Sequence, residues 1–463
     1  MKLNYFNFKR IKDKILLTND FGDYAFISTN DFIKLLNKSI DIDSEIGKYL
    51  LSKRMIYDEL DLSFINRNVY DLRNIKNHLN CATALHIFVV TTGCNFSCVY
   101  CQANNGINTS FLKMDKEMAE RAVDIALQSP NKYLSFEFQG GEPLLNFEII
   151  KYIVLYTEQH KEEHEISYSV VTNLTLITEE ILDFFAEYKF DISTSVDGPA
   201  LVHNINRPYI NGTLTFDDVA NSVQKIREKG IKIGAIQTTT KYSLRYPKEI
   251  VNAYKDLSFD SIFIRPLTPL GKAKKQWQLI GYTPDEFLSF YKQALNELFQ
   301  INKNGFYLRE NHATLLYNKI NGNMENYMEL RSPCGASIGQ IAYYPDGNIF
   351  TCDEGRMLHE MGDSTFKLGN VFENNFNDLI NCDVTKAVCY ASMLETIPSC
   401  SDCVYQSYCG TCPVVNYANN NDLIEKEPNG YKCKIYSGML DLLFEIILKE
   451  EQEDLRILNM WGN

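Results

Sequence analysis

From residue 85 onward, apolar strand-like runs alternate with amphipathic helix-like runs, and this alternation limits the possible folds more than any other feature. Strand candidates lie at residues 85–91, 133–139, 167–172, 190–196, 231–239 and 260–266. Helix candidates lie at residues 114–128, 146–160, 178–188, 216–228, 247–256 and 284–300. Strands that alternate with crossover helices form parallel sheets. The sequence therefore predicts an α/β fold, a partial (β/α)6 barrel, with functional residues at the carboxyl ends of its strands.

Three cysteines directly follow the first strand candidate, in the run TTGCNFSCVYCQ. Cys94, Cys98 and Cys101 have the spacing C-x3-C-x2-C. Because Fe–S clusters are normally held by four cysteine thiolates, three thiolates would leave one iron of a cubane open to a small molecule. A structural zinc site is the alternative, but such sites favour four ligands, and no fourth ligand lies nearby in the sequence. The spacing therefore predicts a reactive Fe–S site.

This spacing, with the aromatic residue Tyr100 before the last cysteine, resembles the signature of the radical S-adenosylmethionine (SAM) enzymes. The resemblance implies that the cysteine triad holds a [4Fe-4S] cluster whose open iron binds SAM, and that Tyr100 contacts the adenine. It also implies that cleavage of SAM generates a 5′-deoxyadenosyl radical, which abstracts hydrogen from an unactivated carbon. The protein itself then supplies binding and orientation.

A second motif follows the second strand candidate and consists of Gly140, Gly141, Glu142 and Pro143. Its glycines expose backbone groups, and its proline fixes the exit angle of the chain. In radical SAM enzymes this segment receives the amino group of SAM. By the same resemblance, Gln139 stands where relatives contact a substrate peptide.

Further candidates for SAM contacts stand at the later strand ends. The resemblance implies such contacts for Thr172 and Asn173 after the third strand and for Ser195 after the fourth. Arg207 is a candidate partner of the SAM carboxylate, because a guanidinium donates two parallel hydrogen bonds; a surface ion pair is the alternative. Two segments at the fifth and sixth strand ends, Gln237 to Thr239 and Arg265 to Leu267, are expected to line the adenine or substrate pocket.

A second group of cysteines lies nearer the C-terminus. It comprises Cys334, Cys352, Cys400, Cys403, Cys409, Cys412 and Cys433. The pattern resembles the SPASM domain, which holds auxiliary Fe–S clusters in radical SAM peptide maturases, although Cys409 and Cys412 are separated by two residues instead of the usual three. Zinc is the alternative, because CxxC pairs bind zinc readily.

The SPASM resemblance divides these cysteines between two auxiliary clusters. One would be fully ligated, by Cys400, Cys403, Cys409 and Cys433. The other would be held by Cys334, Cys352 and Cys412. Since no further cysteine stands between the first two of these, either one iron is open or another ligand, such as Cys382 or Cys389, completes the set.

Two more residues carry separate predictions. Asp353 directly follows Cys352, and in sulfatase-maturing relatives an aspartate at this position serves as a base toward the substrate. A carboxylate that caps a turn is the alternative. Cys81 has no partner by spacing, and we expect a buried small hydrophobic residue there.

The first 82 residues form a separate unit in this interpretation. Strands over 8–19 and 23–28 are predicted to form a hairpin, followed by helices at 29–38 and 44–54. This α+β pattern resembles the winged-helix modules that hold the leader of a precursor peptide by adding it to a sheet edge. A cap that only covers the barrel is the alternative. The predicted domains are residues 1–82, 83–310 and 311–463, the last with a helix over about 431–455.

Charge and hydropathy limit the partners and the location. The net charge of −13 argues against a nucleic-acid substrate, and the short basic cluster at Lys272, Lys274 and Lys275 is interpreted as a solvated face. No secretory signal or run of roughly 18 apolar residues is evident. The sequence therefore predicts a cytoplasmic protein without membrane partners.

Three longer segments narrow the resemblance to one group of peptide maturases. LLTNDFGDYAFIS, LHIFVVTTGCNFSCVYCQ and FTCDEGRMLHEMGD resemble the maturases of His-Xaa-Ser peptide systems. This implies a ribosomally made precursor peptide with a leader as substrate, a net oxidation such as an intramolecular crosslink, and a flavodoxin or ferredoxin as electron donor. Formylglycine formation by an anaerobic sulfatase maturase and a non-catalytic Fe–S electron carrier are the alternatives.

Overall fold

The structure, a computed structural model, describes residues 1–58, 62–103, 111–322, 327–425, 430–449 and 451–462. An N-terminal module precedes the main sheet. Its elements are β1 (Lys2–Leu3), β2 (Asn7–Ile11), β3 (Lys14–Thr18), β4 (Tyr24–Ser28), α1 (Thr29–Leu36), α2 (Glu45–Ser52), β5 (Ile56–Tyr57) and α3 (Leu62–Ile75).

The N-terminal module contains an antiparallel sheet of three strands, in the order β2-β3-β4. The prediction of one strand over residues 8–19 is wrong, because Lys12 adopts a left-handed conformation (φ 53°) and turns the chain back. The two predicted helices are confirmed, and the hydroxyl of Ser28 accepts a hydrogen bond from the Asp31 N–H at the start of α1. Helix α3 was not predicted, and none of its side chains is buried.

The middle of the chain alternates strands and helices. Its elements are β6 (Leu85–Thr91), α4 (Lys116–Ala126), β7 (Tyr133–Gly140), α5 (Phe147–His160), β8 (Glu165–Val171), α6 (Glu179–Glu187), β9 (Asp191–Ser195), α7 (Ala200–Asn206), α8 (Phe216–Glu228), β10 (Ile233–Thr238), α9 (Pro247–Asp256), β11 (Ser261–Arg265), α10 (Gly271–Lys275), α11 (Trp277–Ile280), α12 (Pro284–Lys303), β12 (Arg309–Glu310) and α13 (Asn311–Ile320).

The strands of the middle region lie side by side in sequence order. β6 to β11 all pair in parallel, and β12 adds a short parallel strand beyond β11. The predicted α/β fold with six βα units is therefore confirmed. Along β7, Phe136 and Phe138 are buried in the core with side chains from α4 and α5, whereas Glu137 and Gln139 face the opposite side. This alternation places polar side chains on the inner face of the sheet.

The C-terminal region follows. Its elements are β13 (Gln340–Tyr343), β14 (Asn348–Phe350), α14 (Asp353–Glu360), β15 (Lys367–Asn370), α15 (Phe376–Asn381), α16 (Asp383–Tyr390), α17 (Pro413–Asn420), α18 (Tyr431–Lys449) and α19 (Gln452–Gly462).

The C-terminal region extends the main sheet. β13 pairs in parallel with β6, and β14 and β15 continue antiparallel, so that ten strands run in the order β12-β11-β10-β9-β8-β7-β6-β13-β14-β15. The prediction of one final helix over 431–455 is wrong, because the chain forms α18 and then α19. The Trp461 ring of α19 stacks on Phe299 with centroids 5.4 Å apart, and this packing requires the chain to turn.

The N-terminal module packs against the cysteine-rich loop of the C-terminal region. The Thr18 hydroxyl donates to the carbonyl of Val404 at 2.7 Å, and the Tyr408 hydroxyl donates to the carbonyl of Gly22 at 3.0 Å. These hydrogen bonds attach the module to the C-terminal region. Within the described ranges, no helix combines the length and apolar character needed to cross a membrane.

Candidate active site

The carboxyl ends of the parallel strands surround a cavity of about 420 Å³, called the main cavity below. Many residues predicted from the sequence line it: Cys94, Cys98, Tyr100, Cys101, Gln139, Gly140, Gly141, Thr172, Asn173, Ser195, Arg207 and Asp353. These residues come from the ends of β7, β8 and β9, the loop after β6, the residue after α7 and the start of α14. The structure thus brings the cysteine triad and most of the predicted contacts together, at the position that parallel α/β folds use for ligands.

The two glycines allow the end of β7 to approach the cysteine loop closely. The Gly141 N–H donates to the Thr91 carbonyl at 2.9 Å, and the Glu142 N–H donates to the Gly93 carbonyl at 2.7 Å. A Cβ on Gly140 would lie 2.3 Å from the Thr91 oxygen, and one on Gly141 would lie 2.3 Å from the Gly93 oxygen. Residues without a side chain are therefore required at both positions.

The Glu142 side chain does not face the main cavity. Its buried carboxylate accepts hydrogen bonds from the Thr172 hydroxyl at 2.7 Å, the Asn173 N–H at 2.7 Å and the Leu144 N–H at 3.0 Å. It therefore joins the ends of β7 and β8. The contact of Glu142 and Pro143 with SAM, which the resemblance implies for this segment, stays a prediction.

Arg207 is held inside the main cavity and is not a surface ion pair. Its Nη1 donates to the Tyr100 hydroxyl at 2.8 Å, and this hydroxyl donates to the Asp197 carboxylate at 2.9 Å. The buried Nε has no hydrogen-bond partner among the described residues. A guanidinium with an unused donor beside the cysteine triad fits a carboxylate ligand, as the SAM resemblance implies.

The three thiols of the cysteine triad are free and lie at the main cavity. All thirteen cysteines carry free thiols, and the Cys94 sulfur accepts a hydrogen bond from the Phe96 N–H at 3.3 Å. Burial raises the pKa of all three triad thiols, that of Cys98 to about 11, although Arg207 acts in the opposite direction on Cys98. In the described part of the chain, no three His, Cys, Asp or Glu side chains are placed as the ligands of one metal ion.

Gln139 and Asp353, which are the two residues predicted to contact substrate, are connected by Arg356. The sequence analysis missed Arg356. Arg356 is 2% exposed. Its Nε donates to the Asp353 carboxylate at 2.7 Å, and its Nη2 donates to the Gln139 side chain at 3.0 Å. Gln139 in turn donates to Glu137 at 2.6 Å. Burial raises the pKa of Glu137. The sequence analysis missed Glu137 as well. Its position two residues before Gln139, on the same face of β7, was the signal that could have identified Glu137.

Each of the two segments predicted at the later strand ends lies only partly at the main cavity. Gln237 and Leu267 are fully buried and do not line the main cavity, whereas Thr238 and Pro266 do. Side chains alternate between the two faces of a strand, so neighbouring residues of one segment face opposite sides. Lys272 was interpreted as solvated, but it lines the main cavity.

The division of the C-terminal cysteines between two auxiliary clusters stays a prediction. Cys334, Cys352 and Cys412 line a second cavity of about 60 Å³. In the other group, burial and then the neighbouring cysteines raise the pKa of Cys400 to about 12; these neighbours are Cys409, Cys403 and Cys433. The prediction that Cys81 is buried is wrong, because its side chain is exposed after Asn80 ends a short 3-10 helix.

Comparison with known proteins shows which kind of domain surrounds the main cavity. The family model described as the radical SAM superfamily matches residues 88–244, which include the cysteine triad and the strand ends β6 to β10. This chain carries a radical SAM domain over these residues. The enzyme uses SAM and a [4Fe-4S] cluster with one open iron, and the cysteine triad and Arg207 fit these groups.

The relatives of the enzyme include several maturases. It is 25% identical over 373 residues to a cysteine-type anaerobic sulfatase-maturating enzyme of Clostridium perfringens, across 78% of the enzyme and 96% of that relative. It is 23% identical over 435 residues to the radical SAM cyclopropyl synthase TigE of Paramaledivibacter caminithermalis, across 89% of the enzyme and 80% of TigE.

Two kinds of solved structure share the fold. Native anSMEcpe with bound AdoMet matches with a TM-score of 0.68 and 23% identity, covering 82% of the enzyme and 99% of that chain. Streptococcus suis SuiB bound to the precursor peptide SuiA matches with a TM-score of 0.55 and 16% identity, covering 91% of the enzyme and 97% of that chain. Both likenesses extend over most of the fold described above.

Proposed function

We propose that the enzyme oxidises a ribosomally made precursor peptide by abstracting hydrogen from an unactivated carbon, with net loss of two electrons, as in an intramolecular crosslink. The observation that carries this proposal is the contact between the two cysteine-lined cavities. Five residues line both of them: Arg265, Pro266, Thr268, Glu329 and Glu354. A substrate in the main cavity would therefore lie between the cysteine triad and the set formed by Cys334, Cys352 and Cys412.

When bound, SAM and the [4Fe-4S] cluster supply hydrogen-atom abstraction, and the proposed auxiliary clusters supply an electron acceptor. The chain itself binds and orients. Arg207 would pair with the SAM carboxylate, and Ser195, Thr172 and Asn173 would border the same ligand. The Tyr100 hydroxyl keeps the guanidinium in place through its bond to Asp197. Positioning of this kind is the main contribution that a protein makes to cofactor chemistry.

The opposite wall of the main cavity would hold the peptide. Gln139, Arg356 and Asp353 form one connected hydrogen-bonded row there. Because Arg356 is buried and fixed at both ends, this row presents polar groups in a defined geometry. Asp353 is the candidate proton acceptor on the substrate side.

The N-terminal module is proposed to hold the leader. Its sheet has outer strands at β2 and β4, and an extended peptide adds to such edges through main-chain hydrogen bonds. The Phe26 N–H of β4 already donates to the Tyr49 hydroxyl at 3.3 Å, so β2 is the more available edge. The likeness to the SuiB structure with a bound precursor peptide spans 91% of the enzyme and supports a peptide partner.

Sulfatase maturation, in which a cysteine or serine becomes formylglycine, is the second candidate. It is favoured by the likeness to the Clostridium perfringens sulfatase-maturating enzyme, which extends over 96% of that relative. The main cavity would serve this reaction with the same residues. A non-catalytic electron carrier is set aside, because the chain carries a radical SAM domain and its relatives include maturating enzymes. A flavodoxin or ferredoxin remains the proposed electron donor.

Co-expression with a candidate precursor peptide, taken from any short reading frame found beside the gene, tests the two candidates. We expect the precursor peptide to lose the mass of two hydrogen atoms and to remain unreactive toward an aldehyde-specific hydrazide, because a crosslink creates no aldehyde. High-resolution mass spectrometry of the peptide measures both properties. A precursor without its leader should stay unmodified, and so should the full precursor expressed with the Cys94→Ala enzyme. An unmodified precursor, together with hydrazide labelling of a sulfatase-derived peptide, would favour formylglycine formation instead.

A further inference from the structure

Four segments at the strand ends around the cysteine triad contain no aspartate or glutamate, although the chain as a whole has 59 acidic and 46 basic residues. They follow β6, β9, β10 and β11 and span residues 92–103, 198–216, 239–248 and 266–284. Asp197, just before the second segment, is fully buried and accepts a hydrogen bond from the Tyr100 hydroxyl; Glu249 and Asp285 directly follow the third and fourth. The basic residues of these segments that lie outside the main cavity are called the basic rim below: Lys241, Arg245, Lys248, Lys274 and Lys275.

Helix α10, which carries two of the rim lysines, lies directly on the cysteine loop. The N–H of Lys272 donates to the carbonyl of Cys101 at 2.9 Å. A Cβ on Gly271 would lie 2.4 Å from the carbonyl oxygen of Gln102, so the first residue of α10 has no room for a side chain. Lys274 and Lys275 follow within one helical turn, which places their backbone next to the cysteine loop.

The segment after β10 is attached to the same loop through Asn206. The Asn206 carbonyl accepts a hydrogen bond from the Val99 N–H at 2.9 Å, and its side-chain oxygen accepts one from the Thr240 hydroxyl at 3.1 Å. The next residue, Lys241, donates its N–H to the carbonyl of Ile280 at 2.8 Å, at the end of α11. Hydrogen bonds therefore connect both parts of the basic rim to the cysteine loop.

The side chains of the basic rim face solvent. All five are exposed. Within the described ranges, the charged nitrogens of Lys241 and Arg245 have no carboxylate oxygen within 4.0 Å, whereas Lys229 lies 2.6 Å from Asp183. The basic rim is thus open to a partner outside the chain, in contrast to Arg207 and the other groups inside the main cavity.

The cysteine triad requires an electron from outside the chain, because the cleavage of SAM is reductive. The triad thiols are buried or half-buried, so a donor protein must approach the cysteine loop closely. Electron-transfer complexes use small and weak interfaces, and complementary charge then raises the rate of encounter. Since the net charge of the chain is −13, an acidic partner needs a local basic surface, and the basic rim supplies one at the cysteine loop.

We propose that the basic rim is the docking surface for an acidic protein that donates one electron. The electron passes from that protein to the cluster at the cysteine triad. The donor is oxidised and the cluster reduced by one electron each, and no proton or chemical group is transferred. This inference rests on the proposed function, because it gives the proposed flavodoxin or ferredoxin its position on the enzyme.

The test uses the reconstituted full chain and a flavodoxin with an acidic surface as the probe. The rim variant combines Lys241→Glu with Lys275→Glu. The control variant combines Lys255→Glu with Lys367→Glu and makes the same change of charge at two exposed lysines. Of these, Lys255 lies near the opposite end of α9 from the basic rim, and Lys367 lies on β15 at the far edge of the main sheet.

Two properties are measured for each protein. Isothermal titration calorimetry gives the dissociation constant of oxidised flavodoxin, and this measurement does not depend on turnover. Stopped-flow absorbance of the flavin gives the rate at which reduced flavodoxin delivers its electron. Reduced methyl viologen, a small cationic donor that needs no docking surface, is the comparison reductant.

At low ionic strength we expect the rim variant to bind flavodoxin with a dissociation constant about ten-fold higher than that of the unmodified enzyme, and to accept its electron about ten-fold more slowly. Both differences should shrink in about 0.5 M salt, because salt screens exposed charges. The control variant should behave like the unmodified enzyme. Methyl viologen should reduce the rim variant at least as fast as the unmodified enzyme.

Equal flavodoxin binding and equal electron transfer in the rim and control variants would overturn the docking surface. A rim variant that methyl viologen also reduces about ten-fold more slowly would overturn it too, because the substitutions would then act on the cluster itself. In both cases the proposed function stands. If neither donor reduces the unmodified, iron-loaded enzyme, the proposed function fails together with this inference.

Discussion

Replacement of Cys94 by alanine is expected to abolish SAM cleavage. The Cys94 thiol lines the main cavity beside Cys98 and Cys101, and two remaining thiolates cannot hold three irons of the cluster that binds SAM. The assay is the formation of 5′-deoxyadenosine after anaerobic reconstitution, with dithionite as reductant and chromatographic detection. We expect no product above the level of a sample without enzyme.

Cys81→Ala is the control for this prediction. Its thiol is exposed and lies outside the main cavity, so this variant should cleave SAM at the rate of the unmodified enzyme. A Cys94→Ala protein that forms 5′-deoxyadenosine at a comparable rate would show that the reactive cluster has been assigned to the wrong cysteines.

Gly141→Ala is expected to produce the second largest effect, a strong loss of SAM binding. The added Cβ would lie 2.3 Å from the carbonyl oxygen of Gly93, which belongs to the backbone and cannot rotate away. Overpacking of this kind costs about 1–3 kcal/mol, and here it would separate the end of β7 from the cysteine loop. The dissociation constant of SAM for the reconstituted enzyme, measured by equilibrium dialysis, checks the expectation.

Gly234→Ala is the matched control, because a Cβ at Gly234 of β10 would meet no atom within 4 Å. Its SAM affinity and iron content should equal those of the unmodified enzyme. Equal SAM affinity in the Gly141→Ala and Gly234→Ala proteins would contradict the role given to the close approach of β7 and the cysteine loop.

The features that could be predicted from the sequence depend on neighbouring residues. Each of the six parallel strands is a local apolar run, and the cysteine triad is a local spacing, so both were found with nearly correct bounds. The meeting of Gly140 and Gly141 with the cysteine loop followed from one rule, that parallel strands end at the same edge. Strand bounds within a few residues were enough for this purpose.

The features that were missed depend on distant residues or on single-residue register. The parallel pairing of β13 with β6 joins positions about 255 residues apart, such as Ile341 and His86, and no local pattern encodes it. Arg356 and Glu354 follow the cysteine that starts α14, and only the folded chain places them against β7 and the second cavity. The sequence also could not show which residue of the segment from Gln237 to Thr239 faces the main cavity, because one residue decides which face of a strand is occupied.

The central claim is that the cysteine triad leaves one iron open, and one spectroscopic measurement tests it most directly. The oxygen-free, reduced enzyme is mixed with SAM labelled with ¹⁵N in the amino group and ¹⁷O in the carboxylate, and electron–nuclear double resonance is recorded. We predict hyperfine coupling of both nuclei to the reduced cluster, and its absence in the Cys94→Ala protein. Zinc in place of iron at the triad, or a cluster spectrum that labelled SAM leaves unchanged, would contradict this account.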